Sequence, residues 1–391
     1  MHPLVRLFDT NRQVCFNVLQ LQAALDRSGG AQLDVEVAEF NMEMAQLVAN
    51  ERERWSSFQF VHGDYEDLPT RWLLAQTENL PLLNAVTLYS VTDREDIRKW
   101  LEVVQPKFIH LDFAHGLEIL NNASWAWATR LCSLDVSMSR IVSPTTLIPI
   151  PVATQLTDLT LQGIKLHNKG PIKFPNLLRA EISEVDHWWN IEAPKLRVLV
   201  LSSLREDSSL IKVTYPLLEE LSYVGKRLMV LPSLDLETPA LESLAITYIL
   251  LHPENFLSIL PGWFCAPTRL RNLEIWLCTF ATPDLIYALE AQDSLQSLQF
   301  MLSELSQSLI EAFIPTSTSS ILCPNLKRMV LGIEPTPKYT QKLVPDEVKV
   351  ALKDIVQRRR ARNVPLERLN VIWPEDWEKD EPESDWCSEF V

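Results

Sequence analysis

Pro194-Lys-Leu-Arg-Val-Leu-Val-Leu201 and Pro216-Leu-Leu-Glu-Glu-Leu-Ser-Tyr223 share one phrase: proline, any residue, an apolar residue, two more, an apolar residue, any residue, an apolar residue. It occurs upstream as Pro81-Leu-Leu-Asn-Ala-Val-Thr-Leu88, Pro106-Lys-Phe-Ile-His-Leu-Asp-Phe113 and Pro175-Asn-Leu-Leu-Arg-Ala-Glu-Ile182. Downstream it returns as Pro239-Ala-Leu-Glu-Ser-Leu-Ala-Ile246 and Pro324-Asn-Leu-Lys-Arg-Met-Val-Leu331. Copies without the aligned proline fill the gaps: Leu131-Cys-Ser-Leu-Asp-Val136, Leu156-Thr-Asp-Leu-Thr-Leu161, Leu270-Arg-Asn-Leu-Glu-Ile275 and Leu295-Gln-Ser-Leu-Gln-Phe300. A degenerate copy, Trp55-Ser-Ser-Phe-Gln-Phe60, precedes them all.

The leading apolar residues fall at 55, 83, 108, 131, 156, 177, 196, 218, 241, 270, 295 and 326. Their spacing of about 25 residues lies within the roughly 20–29 of a leucine-rich repeat. In the last three residues of each phrase the two apolar side chains point to one face and the residue between them to the other. The leading apolar residue fills the corner where the chain turns into a strand, and the proline precedes the strand, where its missing N–H breaks no ladder bond. A single coil buries too little to offset the entropy of ordering it, so only stacking makes the array viable.

The pattern predicts an α/β fold, a leucine-rich-repeat solenoid. Its expected shape is a curved horseshoe, with a parallel sheet on the concave side and irregular helices and loops on the convex side. Helices are expected at Thr92–Val104, behind a capping Thr92, at Asn41–Arg54 and at Pro283–Ala291. Ser202–Pro216 is too irregular for one. A helix from Pro345 to Gln357, with Arg358, Arg359, Arg360 and Arg362 as a solvated end, and a strand at Leu366–Val371 read as the last coil and its cap. At the front, Arg12–Asp26 reads as a helix and Leu33-Asp-Val-Glu-Val37 as a strand. Three segments follow: an N-terminal cap at 1–54, the solenoid at 55–373 with its cap at 345–373, and an acidic tail at 374–391.

Composition narrows the function. The net charge is −15, and residues 374–391 hold eight acids against one base, Lys379. That balance argues against a nucleic-acid partner, which needs a basic face. The tail reads as a disordered solubilising end, with Trp377, Trp386 and Phe390 leaving a docking peptide open. No apolar run is long enough for a membrane span, and the first residues lack the pattern of a signal peptide. The six cysteines are scattered, without a Cys-x-x-Cys pair, which suits a reducing compartment, the cytoplasm or nucleus. Asn122-Ala-Ser124 is then a sequon by chance.

No glycine-rich phosphate loop, nucleophile elbow or zinc-protease motif occurs, so no catalytic, cofactor or metal site is expected. His110, Asp112 and His115 form the tightest metal-like cluster, but polar residues are ordinary on an exposed strand face. His187-Trp188-Trp189 reads as packing between coils. The outward strand residues include Asp112, Asp135, Asp158, Glu181, Glu220 and Glu274, against few bases, Arg179 and Arg328 among them. They suggest an acidic stripe suited to a basic segment of a partner protein.

The layout resembles the fungal F-box/leucine-rich-repeat-like proteins, abundant in mushroom-forming fungi. The resemblance rests on Leu25-Asp-Arg-Ser-Gly29 before Leu33-Asp-Val-Glu-Val37, on Glu51-Arg-Glu-Arg-Trp55 leading to Phe58 and Phe60, and on the Pro-x-Leu coils. Ile355-Val-Gln-Arg358 followed by Pro365-Leu-Glu-Arg-Leu369 continues it. It implies a repeat array that recognises a substrate protein, while an F-box docks the adaptor of a cullin ubiquitin ligase. Residues 1–26 contain no such F-box start. The expectation is therefore a protein-binding module of substrate-receptor type or, as the alternative, a standalone repeat scaffold.

Overall fold

A computed structural model of the chain describes residues 4–8, 13–15, 17–39, 41–60, 68–76, 80–89, 95–113, 128, 130–138, 145–146, 154–163, 165–166, 172–185, 191–202, 211–225, 234–247, 269–276, 282–302, 307–314, 321–333 and 346–372. The chain divides into two compact units, Met1–Pro194 and Lys195–Val391.

The first unit begins with β1 (Leu4–Phe8), β2 (Gln13–Cys15) and α1 (Val18–Ser28). Next come β3 (Leu33–Glu39), α2 (Met42–Asn50), β4 (Trp55–Phe60) and α3 (Leu68–Gln76). β5 (Ala85–Leu88), α4 (Glu95–Val104), β6 (Phe108–Phe113) and β7 (Ser133–Met138) follow. The unit ends with β8 (Thr145–Thr146), β9 (Asp158–Gln162), β10 (Lys165–Leu166), β11 (Ile172–Lys173), β12 (Arg179–Ser183) and β13 (Ile191–Glu192). Its sheet runs β3-β4-β5-β6-β7-β9-β12, all parallel, and β1 and β2 add antiparallel strands beside β3.

The second unit holds β14 (Val198–Ser202), β15 (Ile211–Thr214), β16 (Glu220–Val224), β17 (Leu234–Glu237) and β18 (Ser243–Thr247). β19 (Asn272–Trp276), α5 (Thr282–Glu290), β20 (Ser297–Leu302), α6 (Gln307–Ala312), β21 (Arg328–Ile333), α7 (Asp346–Ala361) and β22 (Arg368–Ile372) complete it. Its sheet runs β14-β16-β18-β19-β20-β21-β22, again all parallel. The fold is therefore α/β, with seven parallel strands described in each unit, laid down in chain order and not closed into a barrel. Among the described residues no helix is long and apolar enough to cross a membrane.

A repeated turn explains the proline. In Leu80-Pro81-Leu82-Leu83 the N–H of the leading leucine donates to the carbonyl three residues back, at 3.2 Å. Phe174 to Leu177, Tyr215 to Leu218, Thr238 to Leu241 and Cys323 to Leu326 close the same way. The proline is the second residue of each turn, where its fixed φ is pre-set and its missing N–H is not needed. The leading leucine is thereby held in the core, buried in every one of these turns. The inward pairs behind it, such as Leu134 with Val136 and Leu199 with Leu201, are buried too.

The register corrects one phrase. Ala85 pairs with Phe108, so Pro106, not Phe108, stands opposite the leading Leu83. Pro106 is buried, Ile109 and Leu111 form the inward pair, and Phe108 is 48% exposed on the outward face. The preceding helix α4 ends one residue before Gln105, whose φ of 46° turns the chain directly into Pro106.

Other differences are local. Gln13–Cys15 is a strand rather than helix, because α1 starts only at Val18, where the Asn17 side chain accepts from the Gln20 N–H. β3 already belongs to the parallel run, so the array begins inside the segment read as a cap. Where helices failed to be legible, β15 pairs with β17 and β11 with β13 in short second ladders just before the turns. The helices read at Asn41–Arg54, Thr92–Val104 and Pro283–Ala291 appear as α2, α4 and α5, α4 being described from Glu95, while Thr92 lies outside the described residues.

Arg359 departs furthest from expectation. It is wholly buried rather than part of a solvated helix end. Its guanidinium donates to the carbonyls of Leu322 at 2.9 Å, Cys323 at 2.8 Å and Pro324 at 3.5 Å, tying α7 to the turn before β21. Cys323 holds a φ of 47° there, and burial pushes its thiol from 9.0 up to about 12.

Two measurements check this fold. Ile109→Ala is expected to cost about 2–5 kcal/mol in urea unfolding, whereas Phe108→Ser should stay within about 0.5 kcal/mol; the reverse order would restore the proline-aligned register. Burial also raises the Tyr215 and Tyr223 hydroxyls. Because the unfolded chain then releases these protons and that of Cys323 first, stability should be full below about pH 9 and fall as pH rises towards 12. A urea midpoint followed from pH 8 upward reads the slope.

Candidate binding face

Alternation along each strand leaves one side chain in two pointing outward, and parallel register lines these residues up in rungs across the strands. In the first unit the middle rung reads Gln59, Thr87, His110, Asp135, Thr160 and Glu181. The rung nearer the strand starts reads Ser57, Ala85, Phe108, Ser133, Asp158 and Arg179. Beyond the middle rung lie Asp112, Ser137, Gln162 and Ser183.

The centre of this face is built around His110. Its Nδ1 lies 2.5 Å from Asp135 Oδ2 across the β6–β7 pair, and the Tyr89 ring is tilted against the imidazole at 5.2 Å. The two partners are only part-exposed, at 25% and 36% of their side chains. Nε2 of His110 is enclosed and finds no partner among the described residues. Phe108 stands two residues away on the same strand face. An exposed aromatic next to a clamped imidazole, with Asp112, Asp135 and Asp158 around them, has the make-up of an interface anchor ringed by polar groups.

The six carboxylates singled out in the sequence do not form one stripe. Asp158 lies on the first rung, Asp135 and Glu181 on the middle rung separated by Thr160, and Asp112 on the last. Arg179 pairs in register with Asp158 and further breaks the row. Asp135 is engaged by His110, and Asp158 accepts from the Thr157 hydroxyl at 2.7 Å. The reason is the register: a carboxylate placed one alternation earlier or later in its strand moves a whole rung.

In the second unit Glu220 shares a rung with Val198 and Ser243, and Glu274 one with Ala245 and Gln299. Glu274 is held rather than offered: Trp276 Nε1 donates to one oxygen at 3.3 Å and Gln299 Nε2 to the other at 3.0 Å. The middle rung before Glu274 is small or apolar, with Val200, Ser222 and Ala245, while Asn272, Arg328 and Arg368 lie on the rung nearer the strand starts.

Sequence reading missed Tyr89, His110 and Phe108 as a group. The usable signal was the spacing of 23 residues between Leu83 and Pro106, which would have turned Phe108 outward. His115, His187-Trp188-Trp189, Asn122 and the tail with Trp377, Trp386 and Phe390 lie outside the described residues.

Glu274→Ala should lower stability by about 1–3 kcal/mol, since two donors lose an acceptor, while Glu181→Ala should change it by less than about 0.5 kcal/mol. Equal effects in thermal unfolding would contradict the distinction between held and offered carboxylates.

The sequence matches no known family model, and a comparison with curated proteins finds no match either.

Proposed function

We propose that this chain is a leucine-rich-repeat protein that works by binding another protein through the outward face of its parallel strands. The observation that carries the reading is the first unit's face. Phe108, Tyr89 and His110 form an aromatic centre there, and Asp112, Asp135, Asp158 and Glu181 outnumber the bases His110 and Arg179 around it. A partner segment that suits it brings a lysine or arginine beside an apolar side chain. Rigid registered strands support such recognition, because side chains held on a ladder lose little further freedom on binding.

The reading extends to substrate recognition of the kind performed by F-box receptors of cullin ubiquitin ligases. The alternative is a standalone scaffold without a ligase role. Affinity purification of the full-length protein from its native cells, followed by mass spectrometry, separates them. Capture of the cullin adaptor supports the receptor; capture of other proteins without the adaptor supports the scaffold. Reversing the charge of Asp112, Asp135 and Asp158 together is expected to weaken binding of the captured partner by about tenfold or more. Unchanged affinity in a correctly folded variant would remove this face from the proposal.

A further inference from the structure

The last four strands of the second unit carry a row of hydrogen-bond donors on their outward side. On the rung nearer the strand starts, Asn272 of β19, Ser297 of β20, Arg328 of β21 and Arg368 of β22 stand in register. Neighbouring strands lie about 4.8 Å apart, so the two arginines stand side by side at the end of the row. Like charges directly opposite one another on a ladder oppose folding. The core does not require them, since Met329 and Leu331 in β21 and Leu369 and Val371 in β22 fill the inward positions.

The carboxylates nearest to this charge are engaged elsewhere. Glu274 is the one acid at an outward position of β19 to β22, and Trp276 and Gln299 hold its two oxygens. It also stands two strands away from Arg328, roughly 10 Å across the ladder. Glu367, next to Arg368 in the chain, is taken by Lys327 at 3.0 Å. Glu242 pairs with Arg271 at 3.5 Å. Among the described residues, these pairings leave Arg328 and Arg368 without a carboxylate.

The two side chains are also placed to receive one. Arg328 is exposed and Arg368 half-buried. The wholly buried Asn370 amide, with its oxygen turned to Arg368, accepts from Arg368 Nε at 3.1 Å and donates to the Leu369 carbonyl at 3.2 Å. That bond occupies the inner nitrogen, fixes the plane of the guanidinium and leaves the two terminal nitrogens to meet a ligand. A guanidinium's paired N–H groups match the two oxygens of a carboxylate.

We propose that Arg328 and Arg368, with Ser297 and Asn272 beside them, bind an acidic segment of a partner protein, one carboxylate to each guanidinium. A nucleic acid suits the site less well, because its backbone calls for a longer basic track than two arginines in a chain of net charge −15. The site is opposite in sign to the face of the first unit, and neither reading depends on the other.

The test is fluorescence anisotropy of the full chain with a fluorescein-labelled octaglutamate peptide at about 0.15 M salt, with octaglutamine as the neutral control. Octaglutamate is expected to bind and octaglutamine to stay unbound. Arg328→Gln, at an exposed position, should weaken octaglutamate binding at least about fivefold, and Arg328→Gln with Arg368→Gln at least about tenfold. Arg197→Gln with Arg271→Gln removes the same charge from arginines already paired with Glu219 and Glu242. That variant should change the affinity by less than about twofold. No binding of octaglutamate, no loss from Arg328→Gln, or an equal loss from the two double variants overturns the proposal. A thymidine oligonucleotide of the same charge that binds as tightly, and is lost in the same variant, overturns the choice of an acidic protein segment.

Discussion

A single carbonyl before each strand, accepting two N–H groups from the next coil, holds the repeats together. Asn84 O accepts from the N–H groups of Lys107 and Phe108, both at 2.9 Å, and Lys107 O in turn accepts from Cys132 and Ser133. The same stitch continues through Cys132 and Thr157. In the second unit it runs through Arg197, Glu219, Glu242, Arg271, Gln296 and Lys327. Each acceptor is the residue after the leading apolar one, so the stitch and the buried corner side chain act on adjacent positions. The turn hydrogen bond fixes where a coil enters the core; the doubly accepting carbonyl fixes where the next coil enters beside it. A slip of one residue would break both and turn every core side chain outward.

The stitch is made by backbone, which is why the side chains at the acceptor position are free to vary. They are charged in much of the second unit and pair across coils: Arg197 with Glu219 at 3.1 Å, Arg271 with Glu242 at 3.5 Å and Lys327 with Glu367 at 3.0 Å. All these pairs are well exposed, and exposed pairs add little to stability. They follow the register rather than create it. The same independence lets the outward rungs carry different chemistry in the two units, aromatic and acidic around His110 in one, and in the other a run of Val200, Ser222 and Ala245 leading to a restrained Glu274.

Away from the strands, the coils are completed by whatever packs. Where helices form they bury a single stripe, as with Ile97, Trp100, Leu101 and Val104 of α4, and Trp100 meets Phe58 edge-on at 5.6 Å. Where the linking segment is short, a second parallel pair takes the helix's place. The last turn, before β21, is secured by Arg359, whose three carbonyl contacts offset the cost of burying a guanidinium. A buried arginine there ties the end helix to the array more specifically than another leucine would.

The parallel α/β array was legible in the amino-acid order alone, because its cause is local. Leucine or a similar residue at the corner, two apolar residues at alternate positions and a proline at the second turn position each act within eight residues, and their recurrence reports stacking. Helices α2, α4, α5 and α7 were legible for the same reason, through their apolar spacing. The candidate face was only half legible: alternation told that Asp112, Asp135, Asp158, Glu181, Glu220 and Glu274 point outward, but not which of them are neighbours. That is a matter of inter-strand register, set by hydrogen bonds between residues some 21 to 41 apart in the chain. Only the tertiary structure moved Phe108 outward, joined His110 to Asp135, engaged Glu274 with Trp276 and Gln299, and drew Arg359 inside. Apart from Trp276, which shares a strand with Glu274, the partners in those outcomes come from other coils.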